Sequence, residues 1–364
     1  MKQIVLVVGA RPNFMKAAPL IAALQNKSNI FKITLIHTGQ HYDHNLSQLF
    51  FDDLQMPESD IYLGVGSGTH AEQTAEVMIQ LEKQLLIINP DLVIVFGDIN
   101  STLATAVVTA KLKMKLAHVE AGLRSFDMTM PEEVNRIVTD RLSHFHFVTE
   151  QSGVENLKRE GVKESSIYLT GNIMIDSLVI TKKRISHSDI LTKLNLAEKS
   201  YYCLTMHRPS NVDNKEKLEK FLKAFQTISE KTPIIFPCHP RTLKMIEQFG
   251  LSAFTKSENF RFVEPLGYLD FLSLMAQSKA VITDSGGIQG DTTFLRIPCL
   301  TIRSNTEQPV TVSEGTNTLC SDDIELLLAM ISNIETGSYK QGKVPEFWDG
   351  KSAERVVEII EKSI

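Results

Sequence analysis

No apolar run in this 364-residue chain approaches the length of a membrane-spanning helix, so the sequence offers no helical route across a bilayer. Basic charge is scarce as well: 38 Lys and Arg stand against 43 Asp and Glu, a formal net charge of −5. A general nucleic-acid binder needs a basic field, so that class is disfavoured. The four cysteines, Cys203, Cys238, Cys299 and Cys320, include no C-x-x-C pair. Three lie in or beside apolar runs, which fits buried free thiols in a reducing cytoplasm. The apolar start, Ile4 to Gly9, is too short for a signal peptide and turns polar at Arg11. The glycine fingerprint G-x-G-x-x-G is missing where it would be expected: Gly9-Ala10-Arg11-Pro12-Asn13 follows the first apolar run, which disfavours a nicotinamide enzyme. There is no internal repeat, low-complexity tract or heptad pattern.

What is present is an alternation. Short, almost wholly apolar segments (Ile4–Val8, Ile33–His37, Leu92–Phe96, Leu116–Val119, His146–Val148) are separated by helical patterns such as Met15–Gln25, Ala71–Ile88 and Thr102–Lys113. This predicts a parallel sheet covered on both faces. The pattern restarts at Tyr201–Thr205 and continues through Ile234–Phe236, Phe260–Val263, Ala280–Thr283 and Cys299–Ile302. The join is expected around Met174–Ser200, where polar residues dilute the apolar pattern. The expected domains are 1–175, joined by an amphipathic helix at 352–364, and 176–351. Two doubly wound, Rossmann-like α/β domains facing across a cleft are predicted, with ligands at the strand ends.

The residues after each strand therefore matter most. Arg11 and Lys16 follow the first. Asp98 stands at the tip of the third and Glu120 at the tip of the fourth, and Glu132 and Arg136 share one face of a helix opened by Pro131. Taken singly, Asp98 reads as a helix cap and Glu132–Arg136 as a surface ion pair. Three carboxylates converging from separate segments instead supply acid and base. In the second half His207 follows a strand, placed to contact a phosphate or shuttle a proton. His239 reads equally as a structural or a site residue. His144 and His146 have no further ligand in register and read as structural, so no metal site is expected. The stretch Ala280 to Asp291 reads strand, Ser285-Gly286-Gly287, then helix. That is either an ordinary turn capped by Ser285 or a phosphate cradle at a helix N-terminus, with Asp291 one turn on and able to hold ribose hydroxyls.

Together these segments resemble the non-hydrolysing UDP-N-acetylglucosamine 2-epimerase family. The resemblance runs through Gly9–Lys16, His37–His41, Gly97–Thr102, His118–Ser125, Pro131–Asp140, Thr170–Asn172, His207–Asn211, Glu264–Phe271, Thr283–Gln289 and Glu314–Thr316. It implies a glycosyltransferase-B-like fold whose C-terminal helix packs back on the first domain, a homodimer, a UDP-sugar substrate, and no redox cofactor or metal. It assigns acid–base chemistry to Asp98, Glu120 and Glu132. Arg11, Lys16, Arg136 and His207 are assigned to the diphosphate or the leaving group. Ser285, Gly286 and Gly287 would cradle phosphate, and Phe271 would pack near uracil. Gln40 and His41 belong to the region where many bacterial members bind a second UDP-sugar as activator. The chain departs from the family pattern where Gly290 and Asp291 replace a glutamate pair, where Gln308 replaces an arginine, and where Leu46 replaces a methionine. The alternatives are epimerisation of a modified UDP-sugar such as a diacetamido uronate, a hydrolysing variant, a glycosyltransferase, or a nucleotide-sugar sensor.

Overall fold

The computed structural model describes residues 1–40 and 56–364. The chain divides into two compact units, Met1–Thr181 with Glu346–Ile364, and Lys182–Pro345. The division falls inside the helix Ile173–Ile185 and within the stretch Met174–Ser200 where the join is expected. The apolar face of this helix (Ile173, Ile175, Leu178) reaches Ile185, beyond the polar residues at 182–184.

In the first unit the strands are β1 (Lys2–Val8), β2 (Phe31–His37), β3 (Ile61–Tyr62), β4 (Leu92–Phe96), β5 (Leu116–Ala121), β6 (Phe145–Val148) and β7 (Ile167–Leu169). They pair in the order β3-β2-β1-β4-β5-β6-β7, all parallel. Unbroken apolar stretches such as Leu92-Val93-Ile94-Val95-Phe96 are fully buried, as a sheet covered on both faces requires. The second unit repeats the plan with β8 (Tyr202–Thr205), β9 (Ile234–Pro237), β10 (Phe260–Val263), β11 (Ala280–Thr283), β12 (Cys299–Thr301) and β13 (Asn317–Leu319). Their order is β10-β9-β8-β11-β12-β13, again parallel. In each sheet the order reverses once, between β1 and β4 and between β8 and β11, and strand carboxyl ends at such a point are where ligands bind.

Local chemistry sets the helix ends. Thr69 and Glu72 form a reciprocal capping box ahead of the helix His70–Ile88, and Asn89 ends it in the left-handed region. Pro19 lies inside the helix Arg11–Gln25 and removes the amide that would bond to the Met15 carbonyl. The Ser177 hydroxyl donates to that carbonyl instead. The helix Ser352–Ser363 packs on Arg11–Gln25 with Val356, Val357 and Ile360 buried. Its first amides, Ser352 and Ala353, donate to Asp176 at 3.1 and 2.7 Å. Burial nevertheless pushes the Asp176 carboxyl up to about 6, with those amides opposing it. The one tryptophan, Trp348, is buried and donates from Nε1 to the Thr149 carbonyl at 3.0 Å.

Candidate active site

In the first unit the charged side chains gather at adjacent strand tips. Gly9, just after β1, has no room for a side chain: a Cβ there would stand 2.5 Å from Ser101 Oγ and 2.6 Å from Thr38 Oγ1. Asn13 ties this turn to β4, accepting from the Gly9 amide at 3.2 Å and donating to the Phe96 carbonyl at 2.9 Å. Lys16 is buried one turn further on, and its Nζ forms an ion pair with the Glu120 carboxylate at the tip of β5. Glu120 itself has φ 77°, the left-handed region, which costs a non-glycine residue of order 1–3 kcal/mol. Gly97, at the end of β4, also has positive φ and lies against this pair: a Cβ there would be 2.7 Å from Lys16 Nζ and 3.0 Å from Glu120 Oε2. Asp98 follows immediately. Arg136 grips it, with Nε and Nη2 at 3.0 and 2.9 Å from Asp98 Oδ2. Asn135 donates to the Asp98 carbonyl at 2.8 Å.

Asp98, Glu120, Lys16 and Arg136 thus come together at neighbouring strand tips, in two ion pairs. Glu132 is half-buried in the first turn of the helix Pro131–Leu142, four residues before Arg136. Arg11 opens its helix, but its side chain lies outside the described set, and His41 lies outside the described residues. Gln40 is an internal brace rather than an open group: its Oε1 accepts from the Ser101 amide and hydroxyl at 2.9 and 2.7 Å.

The second unit presents a different kind of tip. Ser285 occupies the N-cap position of the helix Gly286–Leu295, yet its hydroxyl makes no capping bond. Of the two readings of this turn, the one in which the Ser285 side chain caps the helix is the one the geometry does not bear out. The Thr283 hydroxyl accepts from the Ser285 amide at 2.9 Å and shapes the turn instead. The first amides of this helix, at Gly286 and Gly287, lie beyond reach of any intrahelical carbonyl. Gly287 is exposed with open space where a Cβ would sit. Beside Gly286 stands Arg303, clasped by Glu307 through two bonds of 3.0 and 2.6 Å. Its position bears on Gln308, whose buried amide replaces the cation expected there: a guanidinium is nearby, but its charge is already matched. Asp291 is buried with no hydrogen-bond or ion partner among the described residues. Desolvation alone pushes its carboxyl up to about 7.

His207 is partly exposed and lies 3.2 Å by Nδ1 from Asp284 Oδ1. Asp284 is fully buried and also accepts from the His207 and Arg208 amides, at 2.9 and 2.8 Å, and from Asn211. Burial works against its charge, but the His207 contacts and these amides outweigh it and hold the carboxyl below its ordinary value. His239 caps the helix Pro240–Gln248 by accepting from the Arg241 amide at 3.2 Å. Phe271 is half-buried on the helix Tyr268–Ala276. His146 is buried and bonded to the Asp140 carbonyl, and the His144 ring accepts from the Leu116 amide.

Sequence reasoning passes over Glu133 and Asp284. Glu133 is buried and accepts from the Ser125 and Phe126 amides, each at 2.9 Å, and from Arg136 at 2.5 Å. The i, i+3 spacing to Arg136 is the available signal. For Asp284 it is position: a carboxylate ending an apolar strand at a switch point has to be satisfied by the loops beside it.

Two parallel sheets of Rossmann order, each with polar residues at its switch point, define a two-domain α/β protein of the glycosyltransferase-B-like class. The family model described as UDP-N-acetylglucosamine 2-epimerase matches residues 22–361. The chain is 43% identical over 98% of its length, and 99% of the relative's, to a UDP-N-acetylglucosamine 2-epimerase homolog of Methanococcus maripaludis. It is 35% identical to the UDP-2,3-diacetamido-2,3-dideoxy-D-glucuronate 2-epimerase of Pseudomonas aeruginosa, over 99% of both chains. Among solved structures, that of Methanocaldococcus jannaschii UDP-GlcNAc 2-epimerase in complex with UDP-GlcNAc and UDP matches with TM-score 0.90 and 40% identity, covering 100% of both chains. This chain belongs to the UDP-N-acetylglucosamine 2-epimerase family.

Proposed function

We propose that the chain interconverts UDP-N-acetylglucosamine and UDP-N-acetylmannosamine by reversible epimerisation at sugar C2. The observation that carries this is the pair of carboxylates at neighbouring strand tips, Asp98 and Glu120, each against its own cation, Arg136 and Lys16, in a chain of this family. The reaction breaks the C2–H bond and delivers the proton to a carboxylate. The C1–O bond breaks with its electrons leaving on UDP, and a C1=C2 double bond forms, giving 2-acetamidoglucal. UDP then adds back to C1 while a carboxylate delivers a proton to the other face of C2. Oxidation state is conserved overall, so the steps call for no redox cofactor.

Asp98, Glu120 and Glu132 form the acid–base set, in a reaction that needs proton donors and acceptors on both sugar faces. Lys16, Arg11, Arg136 and His207 steady the diphosphate as charge develops on it. Ser285, Gly286 and Gly287 cradle phosphate with amides that no helical carbonyl reaches. Asp291, buried and unpartnered, accepts from ribose hydroxyls, and Phe271 packs against uracil. A homodimer in the cytoplasm is the assembly that goes with this reading. Following C2 deuterium incorporation into UDP-N-acetylglucosamine in D2O tests it; tight UDP binding with no exchange would favour a sensor or a transferase. The similarity to the diacetamido-glucuronate enzyme supports a second reading, the same reaction on a modified UDP-sugar. A panel of UDP-sugars in the same assay separates the two, and release of free sugar would mark a hydrolysing enzyme.

A further inference from the structure

We infer that Asp140 and His118 form a buried clamp that sets Asp98 and Glu120 in register for proton transfer, an inference that rests on the acid–base roles proposed for those two carboxylates. His118 lies on β5 and is fully buried. Its Nδ1 is 2.6 Å from Asp140 Oδ1 and its Nε2 is 2.8 Å from the Gly97 carbonyl. That carbonyl belongs to the peptide leading into Asp98. Each ring nitrogen faces an oxygen, so the imidazole bridges the Asp140 carboxylate to the Gly97 peptide. The other oxygen, Asp140 Oδ2, accepts from the Gly122 amide at 3.1 Å and lies 2.7 Å from Arg124 Nη2. Gly122 is two residues past Glu120. One carboxylate therefore reaches in two directions, through His118 to the Asp98 turn and through Gly122 to the Glu120 turn.

Both turns need holding. Glu120 has φ 77°, a conformation that in a non-glycine residue persists only when its surroundings over-determine it. Gly97 and Gly122, at φ 59° and 80°, are glycines whose unfavourable backbone freedom the contacts must restrict. Gly122 is further fixed from behind, where a Cβ would meet the Gly153 carbonyl oxygen at 2.4 Å. Glu160 closes the chain of charges, binding Arg124 through bonds of 2.8 and 2.7 Å. Charge-assisted bonds of this kind are the strong ones. Breaking a buried ion network is costly, which suits a device whose purpose is geometry. Asp140 and His118 are positioning residues: they act through Asp98 and Glu120.

The experiment uses the full-length protein and UDP-N-acetylglucosamine. An asparagine at 118 keeps a donor near the Nδ1 position but loses the grip on Gly97, whereas a glutamine keeps a donor near the Nε2 position. His118→Asn is expected to lower kcat for C2 exchange by about 100-fold, the scale of a small misplacement of reacting groups. KM and the Kd for UDP stay within about threefold, the melting curve stays cooperative, and the pH profile of kcat is displaced. His118→Gln recovers about tenfold of the loss, because the bond to the Gly97 carbonyl returns. A folded His118→Asn with kcat within about threefold of wild type overturns the clamp, as does a loss that only tracks the unfolded fraction. Should His118→Asn fail to fold, Glu160→Gln decides, because its partly exposed side chain is a mild place to loosen Arg124. A several-fold fall in kcat at constant KM supports the clamp, and wild-type kcat overturns it. Asp98→Asn is run in parallel. If it exchanges at the wild-type rate, the acid–base reading itself has failed; if it is silent while His118→Asn is normal, only the clamp has.

Discussion

The strand tips of the two units differ in what they leave unpaired. In the first unit charge is matched within the protein: Lys16 with Glu120, and Arg136 with both Asp98 and Glu133. In the second, Arg303–Glu307 and His207–Asp284 are matched too, but beside them polar groups are left open: the Ser285 hydroxyl, the first amides of the helix Gly286–Leu295, and the carboxylate of Asp291. Groups that move protons must be aimed before substrate arrives, and internal ion pairs aim them. Groups that hold a nucleotide gain nothing by pairing inside the protein, since each such partner would have to be displaced on binding. Under the function proposed above, the contrast corresponds to chemistry in one unit and retention in the other, and mutation can break it.

The largest effect is expected for Asp98→Asn. C2 deuterium exchange falls by about 1,000-fold or more, the upper range for loss of a positioned acid or base, while UDP titrates with nearly wild-type affinity. A variant that still exchanges normally would remove Asp98 from the acid–base set. Glu133→Gln comes next. It takes away a buried charge that Arg136 and two amides depend on. We expect a stability loss of about 3 kcal/mol by urea unfolding and a fall in kcat of about 10- to 100-fold as Arg136 loosens its hold on Asp98. Equal losses in kcat and in UDP affinity would mean that chemistry and retention are not separable.

Much of this contrast is readable in the chain, and the part that is not has a definite physical origin. The apolar strands announce themselves because both faces of a parallel sheet are covered, and Asp98 and Glu120 stand out because they end such strands. What stays hidden is pairing across long separations. Nothing local says that Lys16 meets Glu120, or that Asp140 reaches His118, since those contacts are set by the order of strands in the sheet. Boundaries suffer for a related reason. The polar residues near 182–184 mark the join only as a broad stretch, because one apolar face is enough to carry a helix through them. Ser285 misleads in the other direction: a serine before a helix reads as a cap, and only geometry shows that its hydroxyl is not so used.

A pH test sharpens the contrast from the side of the second unit. The Asp291 carboxyl is raised by burial to about 7, against about 3.9 in an unfolded chain. Between those values the folded protein holds a proton that the unfolded chain has released, so stability falls as pH rises through this window and is flat above it. Asp291→Asn removes that penalty. The ligand-free variant should melt higher than wild type at pH 8 and equally at pH 4, while its affinity for UDP falls by about tenfold through loss of a charged acceptor for ribose. An unchanged melting curve at pH 8 would show that Asp291 is satisfied in solution. Unchanged UDP affinity would remove it from the nucleotide site.

The smallest expected effect discriminates most finely. If the Ser285 hydroxyl served the helix, Ser285→Ala would cost about 1 kcal/mol of stability, as cap deletions do. The structure shows no such bond, so the melting curve should barely move. If the hydroxyl instead serves a phosphate, UDP affinity should fall by about fivefold, one hydrogen bond's net contribution. Exchange at saturating substrate should hold at the wild-type rate, because the acid–base groups of the first unit are untouched. Stability and affinity thus report on the two uses of one oxygen atom. A loss of stability with unchanged affinity would return Ser285 to the role of a helix cap and leave the glycine amides as the cradle.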